Sequence, residues 1–260
     1  MKKMQETLLV CSRSTKKFLK PYKRTYVVDG PPKKDILSLK DTEERVVAIG
    51  GGAVIDTAKI ISKTPIVCYP TTAAGSSKTS HSVCWDGTKK LSLKRMIPSH
   101  VYVVKEYVQN LPADVVEFTT YDALSHCLDS MWSKNSNKNN MHFIHKALEI
   151  LERPHTNYEL ILAGNLAGEA IEICPTTILH SMSYPLTAHY GISHGKALGF
   201  LLPRVSNFMK FDLSRFIRYD PVELEDIDFS FIANETLKYS KVHDTIKKVD
   251  ADTLVGILSS

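Results

Sequence analysis

The sequence has no Cys-x-x-Cys pair, no apolar run of membrane-spanning length and no massed block of one charge. Each lack excludes a class. Five cysteines, Cys11, Cys68, Cys84, Cys127 and Cys174, are odd in number and widely scattered, which argues against a disulfide framework and a zinc ribbon. A reducing, cytoplasmic setting is the expectation. The start, from Met1 to Ser14, is basic, but its apolar run of four residues follows Glu6 and is too short for a signal peptide, despite a lipoprotein-like Cys11. No membrane association is expected. The formal charge of +5 is mild, and the pairs Lys33-Lys34, Lys89-Lys90, Lys94-Arg95 and Lys247-Lys248 are dispersed. That pattern gives no footing for nucleic acid and is compatible with a small anionic substrate.

A chain of 260 residues needs no covalent staple to bury a core. Its first part alternates short apolar runs, TLLVC, RTYVV, RVVAIG, TPIVCYP and HVYVV, with polar or helical segments, the pattern of a sheet covered on both faces. From about Leu111 the apolar residues recur at three and four instead, so the remainder reads as helical. SKNSNKNN reads as a loop and IRYDPVELEDIDFS as a connection. The expected architecture is an α/β domain over residues 1–110 followed by an all-α domain over residues 111–260.

Gly50, Gly51 and Gly52 directly follow a buried strand and precede a segment that reads as a helix from about Val54 to Ser62. Glycines there let the backbone approach a ligand, and the helix N-terminus favours a pyrophosphate, although a plain strand-to-helix turn has the same pattern. The loop YPTTAAGSSKTS after the next strand could wrap the same ligand or be a solvated turn. Neither is the Gly-x-Gly-x-x-Gly fingerprint.

In the helical part, Asp122 and His126 stand four apart, on one helical face. Alone they also suit a surface ion pair. His180 and His194, fourteen residues apart, are far enough for one helix to end and a new segment to return to the same point. Together the four supply one oxygen and three nitrogens, a set suited to divalent iron or zinc. His189 has no such partner and reads as a packed or surface residue.

AIGGGAVIDTAK, PTTAAGSS, LPADVVEFTTYDALSH, NLAGEAI and LHSMSYPLTAHYGISHG, in this order, resemble the iron-containing (group III) alcohol dehydrogenase family, related to glycerol dehydrogenase and dehydroquinate synthase. The resemblance implies a dehydroquinate synthase-like fold, an N-terminal dinucleotide-binding domain and a C-terminal metal-binding domain, with NADPH or NADH in the cleft and Fe2+, or alternatively Zn2+, on the helices. Its metal motif falls on Asp122, His126, His180 and His194. Its cofactor motifs fall on Gly51, Gly52, Ala53 and Asp56, on Thr71 and Thr72 with Ser76 in the same loop, and on Lys90. At the end of the first strand, Ser12 followed by Arg13 suits a 2′-phosphate better than the acid of NAD-preferring members.

CWDGTKKLSL and TTILHSMSYPLTAHYGISHG are most similar to the branch containing phosphonoacetaldehyde reductases. Most relatives have a second histidine where Tyr184 stands. A tyrosine there could bond the substrate carbonyl, relay a proton or only shape the pocket. The implied reaction is hydride transfer between nicotinamide and a small aldehyde or alcohol, with Lys94, Arg95 and Lys196 as candidate cations for a phosphonate, and a homodimer as the expected assembly. The chain is about a third shorter than is usual for the family, Lys78 replaces a common acid, and the nucleotide half carries most departures. A shortened, non-catalytic relative that keeps the metal site for structure or partner binding is therefore the alternative.

Overall fold

The computed structural model describes residues 6–17, 24–216 and 221–260. The α/β part contains β1 (Thr7–Ser12), α1 (Arg13–Lys16), β2 (Arg24–Val28), β3 (Arg45–Gly50), α2 (Gly52–Ile61), β4 (Val67–Pro70), β5 (His81–Asp86), β6 (Lys89–Lys94) and β7 (His100–Val101). α3 (Lys105–Val108) leads into α4 (Ala113–Met131), α5 (Lys138–Glu152), α6 (Asn157–Ile173), α7 (Ile178–Tyr190), α8 (His194–Met209), α9 (Phe229–Leu237) and α10 (Ala251–Leu258).

Five of the strands form a parallel sheet in the order β2-β1-β3-β4-β7. Alternation along them feeds two layers. Leu8, Val10, Val46, Ala48 and Cys68 pack with Val54, Ile55, Ala58 and Ile61 of α2, while Leu9, Cys11 and Ile49 form a smaller cluster on the other face, with Tyr69 and Tyr107 against it. Ser12, Gly50 and Pro70 lie at the C-terminal ends of the three central strands, the edge at which open parallel sheets place ligands.

Two boundaries differ from the periodicity. α2 begins at Gly52, two residues before Val54, because Gly51 already adopts the extended N-cap conformation, with no side chain capping it. α5 begins inside the Asn-rich run, since Asn137 and Asn140 form a reciprocal capping box that turns this polar stretch into a helix start. β5 and β6 form a separate antiparallel hairpin that the apolar pattern alone did not reveal; its signal is Asp86-Gly87, with Gly87 at φ +58°.

The segment after β4 is clamped between the two parts of the protein. Lys59 of α2 is buried, and its ammonium donates to the Ser76 carbonyl at 2.9 Å, the Thr79 carbonyl at 3.3 Å and the His81 carbonyl, beside Asp56 at 3.4 Å. From the other side comes α6. A Cβ on Gly164 would sit 2.4 Å from the Ala73 backbone, and one on Gly168 would sit 2.4 Å from the Gly75 carbonyl oxygen. Ser77 bonds Asn165 at 2.6 Å, Lys78 pairs with Glu169 at 3.0 Å, and the Ser80 amide and hydroxyl both donate to Glu172 at 2.8 Å.

Gly168→Ala is expected to destabilise the protein by about 2 kcal/mol, because backbone must move to admit the methyl. Gly256→Ala, whose Cβ would meet nothing within 4 Å on α10, is expected to stabilise it by about 0.5–1 kcal/mol. Thermal melting of both variants checks the pair of opposite signs.

Candidate metal and nucleotide site

α4 is the central carrier, with Asp122 and His126 on one buried face. α7 brings His180 to the same point. α7 then ends at Gly191, whose φ of +67° supplies a left-handed C-cap, and three residues later His194 opens α8. Gly195 and Gly199 explain the tight return, since a Cβ on either would run into Phe118 or Tyr121 of α4 at 2.5–2.6 Å.

These elements converge on one atom. The Nε2 atoms of His126, His180 and His194 lie 3.6, 3.5 and 3.7 Å from Asp122 Oδ1. Such separations are long for hydrogen bonds, and Asp122 Oδ1 and His180 Nε2 are buried without a hydrogen-bond partner. Unpaired buried polar atoms are costly, so a group that joins them is the natural complement. Asp122, His180 and His194 offer ligand atoms within 4.8 Å of one another; His126 stacks on His180 with ring centroids 4.5 Å apart. The donor set fits a divalent iron or zinc ion.

Burial would by itself raise the Asp122 carboxyl, but the surrounding imidazoles outweigh it and hold it down at about 2. Burial lowers His126 to about 4 and His194 to about 3, against the pull of Asp122, so both are neutral bases at pH 7. His180 runs the other way: burial opposes its charge, but contacts with Asp122 and Asp129 raise it. Asp129 escaped the sequence reading. It lies seven residues after Asp122 on α4, is wholly buried, and its Oδ2 is 2.9 Å from His180 Nδ1. The available signal was an acid two turns from Asp122, on nearly the same helical face.

The glycine turn and the loop after β4 meet beside this cluster. A Cβ on Gly51 would touch Thr72 Oγ1 at 2.9 Å and one on Gly52 would lie 3.1 Å from Ala74, so the glycines ease the close approach of the two segments. The first turn of α2, with Gly52 and Ala53, stands without a side-chain cap. Thr71 follows the end of β4, its amide bonded to the Gly50 carbonyl at 3.0 Å. Gly75, at φ +70°, turns this loop against α6 and the His126 ring.

Asp56 and Ser76 lie beneath the loop and bond each other at 2.5 Å, with the Val83 amide donating to Asp56 at 3.2 Å. The Ser12 hydroxyl caps α1, accepting from the Thr15 amide at 3.2 Å. Beside it, Arg13 pairs with Asp29 at 2.8 Å in an exposed bridge.

The β5–β6 hairpin carries Lys90 over the ring of Tyr184, with Nζ 3.4 Å from the ring centroid. Lys90 has no hydrogen bond or ion pair to a described residue, and burial pushes it down to about 7 while Asp56 and Asp122 pull upward. Tyr184 also stacks on His194, 6.3 Å between centroids; burial raises its phenol, while the Thr176 side chain bonded to it acts to lower it. His189 faces away, against Phe231, with Glu235 3.9 Å distant. Of the cations considered for an anionic substrate, Arg95 is spent elsewhere: it bonds Asp41 at 2.8 Å and the Lys59 and Ser62 carbonyls at 3.0 and 2.6 Å. Lys94 and Lys196 are exposed.

Residues 117–251 match the profile of the Fe-containing alcohol dehydrogenase family, C-terminal region. The chain is 26% identical to phosphonoacetaldehyde reductase of Streptomyces viridochromogenes, over 92% of this chain and 83% of that protein. It is 28% identical to 4-hydroxybutyrate dehydrogenase of Clostridium kluyveri, over 59% of this chain and 51% of that protein. An iron-containing alcohol dehydrogenase from Thermotoga maritima superposes with a TM-score of 0.81 at 22% identity, covering 98% of this chain and 91% of that one. The fold is thus that of the Thermotoga maritima protein. Among the described residues, no helix is long and apolar enough to cross a membrane.

The depressed histidines set a pH dependence. In an unfolded chain both take up a proton near pH 6.5, whereas the folded chain resists until about 4 for His126 and about 3 for His194. Between these values the unfolded state binds more protons, so stability is greatest above about pH 6.5 and is lost as pH falls through the two folded values. His180, shifted upward, opposes this with one group against two. Melting of chelator-treated protein is expected to show a midpoint that drops from about pH 7 to about pH 4. A constant midpoint would contradict the neutral state of the buried His126 ring and the half-buried His194 ring.

Proposed function

The chain belongs to the Fe-containing alcohol dehydrogenase family and is an oxidoreductase, and from that premise we propose that it reduces a short aldehyde bearing an anionic group, using NAD(P)H and one divalent metal ion. The observation that carries this reading is the convergence of three imidazole nitrogens on Asp122 Oδ1 beside the glycine turn and its companion loop. When bound, the metal would polarise the aldehyde carbonyl and the reduced nicotinamide would supply the hydride.

In this reading Asp122, His126, His180 and His194 hold the metal. The uncapped turn at Gly51, Gly52 and Ala53 takes the pyrophosphate, and Thr71 and Thr72 flank it. Asp56 and Ser76 act beneath the loop, keeping it in place through their mutual hydrogen bond. Ser12 marks the adenosine end, where Arg13 and Asp29 together decide between a 2′-phosphate and a free ribose hydroxyl. Tyr184 closes the pocket over His194, and burial keeps its phenol protonated at neutral pH, so its hydroxyl can donate but not accept a proton.

The substrate class rests on Lys90. Lys90 has no ion pair to a described residue and lies on an aromatic face next to the metal cluster, and a phosphonate or carboxylate arriving with the aldehyde would hold it as the ammonium. The names of the two relatives point the same way, since phosphonoacetaldehyde and 4-hydroxybutyrate each carry an anionic group.

Anaerobically prepared, iron-loaded protein is expected to oxidise NADPH or NADH with phosphonoacetaldehyde far faster than with acetaldehyde, and to stop on chelation. Loss of the anionic preference would overturn the substrate class, and loss of all turnover would overturn the reaction. Lys90→Met is expected to raise KM for phosphonoacetaldehyde about tenfold or more, the loss of one charge-assisted hydrogen bond, with little change for acetaldehyde. A rise confined to KM for the nucleotide would assign Lys90 to the cofactor instead.

A further inference from the structure

Three imidazoles face Asp122, yet they are not supported alike. Among the described residues, the buried His126 Nδ1 has no hydrogen-bond partner, and His194 Nδ1 meets only the Ser183 hydroxyl at 3.4 Å. His180 Nδ1 alone meets a carboxylate, Asp129 Oδ2 at 2.9 Å. Asp129 is wholly buried, and its remaining capacity is filled by the Thr177 hydroxyl at 3.0 Å, the Leu179 amide at 2.9 Å and the His180 amide at 3.0 Å.

Two consequences follow from this geometry. First, Thr177 at the N-cap of α7 makes no side-chain cap of its own, so Asp129 caps that helix from α4. Second, a carboxylate already held by two backbone N–H groups and a hydroxyl can only accept from the ring. His180 therefore donates from Nδ1, and its Nε2 lone pair is directed at Asp122 Oδ1, 3.5 Å away.

We infer that Asp129 is a positioning residue for the metal centre: it fixes the tautomer and the plane of His180 and makes that imidazole the strongest nitrogen ligand of the set. The inference rests on the reading that Asp122, His126, His180 and His194 hold a divalent cation. An acid hydrogen-bonded behind a ligating imidazole raises its basicity, and removing such a partner commonly lowers metal affinity roughly 10–100-fold.

The test is a Zn2+ titration of the full chain against a chromophoric chelator, for wild type, Asp129→Asn, Asp129→Glu and Thr177→Val. Asparagine preserves size but removes the carboxylate charge and places an amide donor where one of the two oxygens now accepts a backbone N–H, so the ring loses its charged partner. The expected result is a 10–100-fold weaker site for Asp129→Asn, with recovery to within a few-fold for Asp129→Glu, which restores the carboxylate. Thr177→Val removes a hydrogen bond from the same carboxylate without touching the ring, and is expected to lower the melting temperature while leaving Zn2+ affinity unchanged. If Asp129→Asn binds Zn2+ like wild type, or if Thr177→Val weakens binding equally, Asp129 acts only as a helix cap and the inference is overturned. Should Asp129→Asn not fold, 15N NMR of the His180 imidazole in wild-type protein decides: a proton on Nδ1 with Nε2 bare supports the assignment, and a proton on Nε2 contradicts it. Absence of any Zn2+ site in wild type would instead remove the metal reading itself, an outcome distinct from these.

Discussion

The backbone of the segment from Ala73 to Gly75 lies so close to α6 that no side chain fits between them. Gly164 and Gly168 make that approach sterically allowed, and the buried ammonium of Lys59 holds the residues that follow it, through the Ser76, Thr79 and His81 carbonyls. A buried charge is tolerated only with compensating partners, and here they are mainly main-chain oxygens of the loop itself. The joint therefore fixes the C-terminal edge of the sheet against the helices. Because a Cβ on Gly75 would lie only 3.4 Å from the His126 ring, the loop after β4 and the Asp122–histidine cluster are held together by close packing.

Around that joint the electrostatics are graded by depth. Asp122 sits among imidazoles that keep it ionised, and desolvation keeps the buried His126 and the half-buried His194 free of protons. Lys90 reaches the same pocket from the β5–β6 hairpin, and Tyr184 separates it from direct contact with the ligand set. In the proposed reading, such a site offers neutral nitrogens and one carboxylate to a cation, and Lys90, which has no ion pair to a described residue, to an incoming anion. The family assignment describes an oxidoreductase.

Much of this was legible in the chain. The five apolar runs became the parallel strands, and the i, i+4 pair at Asp122 and His126 with the distant His180 and His194 did come together. What stayed hidden depends on three-dimensional return. Asp129 resembles any surface acid until α7 is docked on it, and Gly164 and Gly168 resemble ordinary small helix residues until the loop lies against them. Arg95 looked available because its three partners, Asp41, Lys59 and Ser62, are remote in sequence. Lys90, by contrast, gained its place over Tyr184 from a hairpin whose Asp-Gly turn was visible but whose weak alternation was not.

The central claim is that one divalent ion is shared by Asp122, His126, His180 and His194. Anomalous diffraction from crystals grown anaerobically with Fe2+, with a parallel set in Zn2+, tests it without reference to turnover. The account predicts a single strong peak per chain between Asp122 Oδ1 and the three Nε2 atoms. A peak bound by other residues, or none at saturating metal, would contradict it.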